Sequence, residues 1–415
     1  MKSLYFVLCG VALWALAGCD SGPKTLPVID ADHPAGSIEL ALSDLLEDIR
    51  MVPLETSDSV LVNTQLPNTH VSERYIIAAG AGKMLLFDRN GRFIRTLMTQ
   101  GNGPNEYPQY VSNMQTDEAR GILYYENPMN ADEIYGLNLA DGRFLPPIKP
   151  EFSRFQTAQI DAMGRLYSFT TQRFSAFGAN MGQAEGSDTT ILVYRYDPSA
   201  NSLQTISRPF PSKGIGSGRS MSYYRGELNI IHNGYSDTLF RLSQEELKPV
   251  GVFKLLQPFA VGNSSSEGDY LSFVLSYKNG MLLQTQHTGL NITYNNSNEI
   301  SSISVLNSVE GLQHFDNKGN YQSVKTLHID PLALDVDVST FLKNRKERLP
   351  NPISPLLSTS GNYGYIVVDA LDMMDILQKA LEQGRGSAAQ QKGMQALLDQ
   401  LDEDSNPVLI IGKVK

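Results

Sequence analysis

The sequence predicts an all-β fold: a six-bladed β-propeller with a helical hairpin inserted in its last blade. Three observations predict it. A strand–turn pattern recurs along the chain, strand-like runs stand near both ends, and one helical stripe interrupts the pattern late in the sequence. The clearest copy of the pattern is Tyr75-Ile76-Ile77-Ala78, then Met84-Leu85-Leu86-Phe87, the turn Asp88-Arg89-Asn90-Gly91, and Arg92-Phe93-Ile94-Arg95. Further copies occupy residues 121–145, 161–196, 226–242 and 280–321, and another begins at Gly364-Tyr365-Ile366-Val367-Val368. Asp-x-x-Gly and Asp-Gly supply the positive φ that a tight hairpin needs. Tyr, Phe, Ile and Val suit half-buried pleated surfaces. Copies about 45 to 60 residues apart match a blade of four strands, although an array of β-sandwiches would carry similar turns.

Closure has its own signal. Residues 406–415 read as a terminal strand and residues 49–56 as another. If both join the last blade, the ring has no free edge. The helical stripe runs from Met374, Ile376, Leu377 and Leu381 to Met394, Leu397 and Leu401, broken by Gly384-Arg385-Gly386-Ser387. That spacing predicts a helical hairpin over about residues 369–402, packed on the ring. Residues 334–348 also look helical and end in the basic run Lys343 to Arg348.

The N-terminus reads as an address. Lys2 precedes an uncharged apolar run from Leu4 to Ala17, too short for a comfortable membrane span and suited to a signal peptide. The run ends in Leu16-Ala17-Gly18-Cys19, which resembles a lipobox, with Cys19 as the lipid acceptor. Residues 1–18 are then the signal, 19–36 a lipidated tether rich in Pro, Gly and Asp, and 37–415 the propeller. Cys9 and Cys19 are the only cysteines, so a mature chain beginning at Cys19 has no disulfide, zinc–thiolate site or Cys nucleophile. The 415 residues are 41% hydrophobic and 19% charged, with a formal net charge of −10. An acidic body whose one basic run is short disfavours nucleic acid, because phosphate neutralisation needs clustered Lys and Arg.

Several stretches together resemble the six-bladed β-propeller lipoproteins of unknown function found in Gram-negative bacteria. They are the lipobox, Val52-Pro53-Leu54-Glu55-Thr56, the turn from Phe87 to Phe93, Gln100-Gly101-Asn102-Gly103-Pro104-Asn105-Glu106-Tyr107, and Asp404-Ser405-Asn406-Pro407-Val408-Leu409. Residues 174–222 and 263–308 depart from the pattern and leave blade boundaries open there. The resemblance implies a fold and an envelope location, and no established activity.

Chemical motifs are sparse. Residues 101–106 lack the Lys-Ser/Thr of a P-loop, and Glu106 stands where a dinucleotide fingerprint has its third Gly. They read as a structural loop between blades. If the channel mouth lies there, Gln100, Asn102, Glu106 and Tyr107 are the candidate ligand-binding residues, able to hydrogen-bond or stack on a sugar. The six histidines (His33, His70, His232, His287, His314 and His328) show no metal-ligand spacing. Asp335-Val336-Asp337 starts like a calcium loop, but Thr340 replaces the turn Gly and no Glu closes it. There is no Gly-x-Ser-x-Gly elbow.

The expected function is a non-catalytic, envelope-anchored module without cofactor beyond the Cys19 lipid. It would bind a protein partner or a glycan, as an accessory to an outer-membrane uptake or assembly complex. The alternative is a metal-dependent propeller lyase or hydrolase that gathers His and carboxylates at the channel centre.

Overall fold

Short strands with alternating burial, joined by tight turns, build nearly the whole molecule. The computed structural model describes residues 26–62, 69–80, 82–101, 103, 106–107, 111–126, 133–148, 157–161, 163–173, 188–211, 219–232, 238–243, 245–255, 265–294, 300–330, 333–348 and 357–415. The signal and Cys19 lie outside these residues.

The chain opens with β1 (Val28–Asp30), β2 (Ser37–Ala41), the single turn α1 (Leu42–Leu45) and β3 (Leu46–Pro53). The first blade follows as β4 (Thr69–Val71), β5 (Tyr75–Gly80), β6 (Lys83–Asp88) and β7 (Phe93–Gln100), with β8 (Glu106–Tyr107) on its rim. The second is β9 (Ser112–Asp117), β10 (Ile122–Glu126), β11 (Ile134–Asn138) and β12 (Phe144–Ile148). The third is β13 (Thr157–Ile160), β14 (Leu166–Arg173), β15 (Asp188–Asp197) and β16 (Ser202–Pro211). The fourth is β17 (Arg219–Tyr224), β18 (Glu227–His232), β19 (Thr238–Ser243) and β20 (Glu246–Lys254). The fifth is β21 (Ser265–Tyr277), β22 (Gly280–Tyr294), β23 (Ile300–Asp316) and β24 (Tyr321–Ile329).

Five blades, not six, are built this way from consecutive strands. The remaining sheet is a composite. It joins β26 (Ser358–Ser360), β27 (Tyr363–Val368) and β28 (Val408–Val414) to β3, which precedes the first blade in sequence. The expected six-bladed propeller is corrected to five blades: the copy beginning at Gly364 supplies only part of a sheet, whose outer strand β3 comes from the other end of the chain. The antiparallel register sets Val408 against Pro53 and Val414 against Leu46. Apolar clusters fill the spaces between neighbouring sheets around the ring. One joins the first blade to the second through Ile77, Leu86, Leu123 and Leu137. Another joins the closing sheet to the first blade through Leu409, Ile411, Ile76 and Phe87.

Three outer edges carry a short extra strand that pairs in parallel: β1 on β20, β2 on β24 and β8 on β7. Residues 19–36 are therefore not a tether throughout. Ile29 is buried in the core between the fourth and fifth blades, and the Val252 and Ala31 amides bond to Pro27 and Lys254 carbonyls at 2.9 Å. The helical hairpin is α3 (Ala370–Glu382) and α4 (Ala388–Leu398), between β27 and β28, with Ser387 and Gln390 forming a capping box. The stretch 334–348 is only partly helical: β25 (Leu334–Asp337) pairs with β24 before α2 (Val338–Arg348) begins.

The turn after β6 shows how sequence sets geometry. Asp88 Oδ1 accepts the amides of Asn90 at 2.7 Å and Arg92 at 3.0 Å, and Gly91 takes φ +83°. A Cβ on Gly91 would collide with the Pro53 carbonyl oxygen, whereas Gly226 (φ +91°) has open space. Gly91→Ala is expected to cost about 2 kcal/mol, left-handed strain plus the collision, and Gly226→Ala only ~1 kcal/mol. Urea midpoints of the two variants check this. Equal shifts would mean that the Pro53 contact adds nothing.

Candidate functional site

Of the residues singled out from the sequence, Gln100, Glu106 and Tyr107 do not line the channel cavity. Cys19 and Asn102 are outside the described residues. Gln100 ends β7, and its amide bonds to the Gly82 carbonyl at 2.6 Å. Glu106 and Tyr107 form β8 at the outer edge of the first blade. The Glu106 carboxylate accepts the Gly103 amide at 2.7 Å and occupies the space a Gly101 side chain would need. Tyr107 is buried in the core between the first two blades, and that burial raises its hydroxyl pKa.

The first strand of each sheet lies innermost: β4, β9, β13, β17, β21 and β26 neighbour one another around the axis. Because strands alternate in direction, every first-to-second turn falls on the same face. The end of β7, and β8 paired in parallel with it, fall on the opposite face. A cavity of about 780 Å³ opens among the first-to-second turns and reaches between the inner strands. It is drawn from segments as distant in sequence as Glu73, Glu118, Asp161, Arg225 and Tyr363.

His70 is the polar centre of one wall. It is 4% exposed, with Nε2 at 2.7 Å from Thr116 Oγ1 and Nδ1 at 2.6 Å from Ser360 Oγ. Ser360 Oγ also accepts the Val71 amide at 3.2 Å. Burial holds the imidazole neutral by lowering its pKa to about 3. Three inner strands of different sheets, β4, β9 and β26, are tied through this ring.

The acidic lining residues carry local partners. Asp117 pairs with Arg120 of its own turn. Asp161 accepts Arg165 Nε at 2.7 Å and the Tyr167 hydroxyl at 3.1 Å. Glu118 receives the Glu73 amide, and its pKa is raised chiefly by burial, against the lowering effect of that hydrogen bond. Nearby, the Arg89 guanidinium lies 4.4 Å from the Tyr363 ring centroid, and Tyr223 stacks on Tyr167 at 5.8 Å.

Four other histidines stay apart. His33 bonds to Asp30, His314 to Tyr277, and His287 and His328 each sit between two carboxylates. Asp335 and Asp337 serve His328, Arg385 and the first turn of α2 rather than a calcium loop. Among the described residues, no group of three or more His, Cys, Asp or Glu is placed to hold a metal ion. No helix among them is long and apolar enough to cross a membrane. Sequence reasoning missed the cavity because its residues come in short runs, from different sheets, that only the ring brings together.

Comparison with known proteins places the chain in a family without a described activity. A family profile described as a domain of unknown function matches residues 25–413. The resemblance to six-bladed lipoproteins is corrected: the chain builds five blades of consecutive strands and matches a family of unknown function. No curated protein matches the chain. A protein from Bacteroides fragilis described as exported is similar in structure at 15% identity, with a TM-score of 0.51, covering 94% of this chain and 99% of its own. That likeness is one of fold. A gluconolactonase from Xanthomonas campestris aligns at 14% identity over 83% of this chain and 95% of its own, with a TM-score of 0.39. The protein YjhT aligns at 12% identity over 65% and 90%, with a TM-score of 0.36.

Proposed function

Because the chain belongs to the DUF4934 family, matched over residues 25–413, we propose from its geometry that it is a non-catalytic binding propeller of the cell envelope. The observation that carries this reading is the cavity of about 780 Å³, whose size falls within the roughly 300–1,000 Å³ usual for ligand sites. Its wall is fixed by His70, held neutral between two hydroxyls, and by carboxylates already engaged with arginines and amides. Such groups position and recognise. The ligand is a protein partner or a glycan, met at the face of the first-to-second turns.

Lipid on Cys19 anchors the propeller at the outer membrane, beside an uptake or assembly complex. The lipobox supports the anchor, and the exported relative from Bacteroides fragilis supports an extracytoplasmic location. Confinement to a surface raises effective concentration, so a weak contact suffices. Mild crosslinking in intact cells, detergent extraction and capture of the full chain test the reading. One transporter or assembly protein is expected to be captured reproducibly, and lost with Cys19→Ala. Recovery of the protein alone, or unchanged membrane association of Cys19→Ala, would overturn the anchored-partner reading.

A further inference from the structure

We propose that the channel mouth takes a neutral, hydroxyl-rich ligand: the end of an uncharged oligosaccharide. This deepens the binding-propeller reading and rests on it. The first reason is charge compensation. Asp117 and Asp161 are neutralised by Arg120 and Arg165 from their own turns. Glu47 stands opposite Lys413 in the β3–β28 register. His70 is neutral. Arg225 lies over the Tyr224 ring, 5.2 Å from its centroid, rather than in a cluster of cations. Phosphate or sulfate recognition needs convergent Arg or Lys, and the lining offers none. Of the carboxylates that line the cavity, Asp117 and Asp161 are already paired with arginines, and Glu118 accepts the Glu73 amide.

The second reason is the kind of group that remains. Gln159, Ser222 and Asn362 line the cavity and can donate and accept, as sugar hydroxyls do. Tyr223 and Tyr363 line it as well, each with one neighbour on its ring, Tyr167 and Arg89 respectively. An aromatic face beside mixed hydrogen-bonding groups fits a sugar ring, which presents C–H patches between its hydroxyls.

The test is calorimetry of the detergent-solubilised full chain with charge-matched probes. The N-acetylglucosamine tetramer and maltotetraose are the neutral probes, the glucosamine tetramer the cationic one, and tetragalacturonate the anionic one. At least one neutral probe is expected to bind, at least about tenfold tighter than both charged ones. Tyr223→Ala and Tyr363→Ala should each weaken it by about tenfold. Tyr363→Phe, which keeps the ring, should restore binding and guards against a folding artefact. Tighter binding of the amine or the uronate overturns the proposal. So does neutral-sugar binding that is lost in Glu106→Gln and kept in both tyrosine variants, which would put the ligand on the opposite face. If no neutral probe binds while a protein is still crosslinked through the mouth, the sugar proposal fails and the binding propeller stands. Failure of both overturns both.

Discussion

Asn406→Ala is expected to lower stability by about 3–5 kcal/mol, enough to threaten closure of the ring. Asn406 is 4% exposed and ties together segments more than 340 residues apart. Its Oδ1 accepts the Val62 amide at 2.8 Å, and its Nδ2 donates to the carbonyls of Glu55 and Val60 at 2.7 Å each. Its own amide donates to Thr56 Oγ1 at 2.8 Å. Alanine takes this side-chain partner from the part-buried Val62 amide and Glu55 carbonyl and from the buried Val60 carbonyl, which keeps the Ser57 amide. Each loss is worth about 1–3 kcal/mol, partly offset where water enters. Asn406→Asp keeps the shape and the acceptor but loses the donor and buries a charge, so it should be at least as damaging. Thr56→Val removes one bond and should cost only ~1 kcal/mol. Urea denaturation of the three variants gives the order. An Asn406→Ala loss below about 1 kcal/mol would show that the segment is held by β28 and β3 pairing alone.

The same residue shows what the sequence made legible. Residues 406–415 and 49–56 announced strands at the two ends, and the structure pairs them. Asn406 itself gave no signal, because its partners Glu55, Val60 and Val62 are backbone groups. Blade turns were readable where Asp and Gly fix local geometry: Gly91, Gly142, Gly164 and Gly319 all take positive φ. The hairpin of α3 and α4 was readable from its apolar stripe. The three-residue β1 and two-residue β8 were not, since a strand that short has no period to detect. Leu334–Asp337 alternates buried and exposed and joins β24, yet its approach to α2 gave it a helical look. The channel cavity was not legible for a related reason. Residues 100–107 stand out in sequence as one polar stretch, whereas the cavity is assembled from short runs on separate sheets, around Ser72, Gln159 and Tyr363.

Acid is expected to destabilise the fold through His70. Its pKa is about 3 in the folded state, against about 6.5 in the unfolded chain. Between those values the unfolded chain binds a proton that the native ring refuses, so stability rises with pH across this window. The contribution is full above about pH 6.5 and is lost as pH falls toward 3. A gap of about 3.5 units at about 1.4 kcal/mol each makes the total ~5 kcal/mol. His287 and His328 act in the opposite sense. Their pKa values are raised, chiefly by Asp269 and Asp335, so their contribution is present below about pH 6.5 and fades as pH climbs through the raised values. The wild-type profile therefore mixes both signs, and only a difference isolates His70. His70→Gln keeps hydrogen-bonding groups between Thr116 and Ser360 without a titrating ring. It should be less stable than wild type at pH 7, and the gap should narrow steadily on acidification and vanish or reverse near pH 4. Denaturant midpoints from pH 4 to 8 measure it. Parallel curves for the two proteins would mean that His70 protonates in place, and that the bolt through β4, β9 and β26 tolerates a charge.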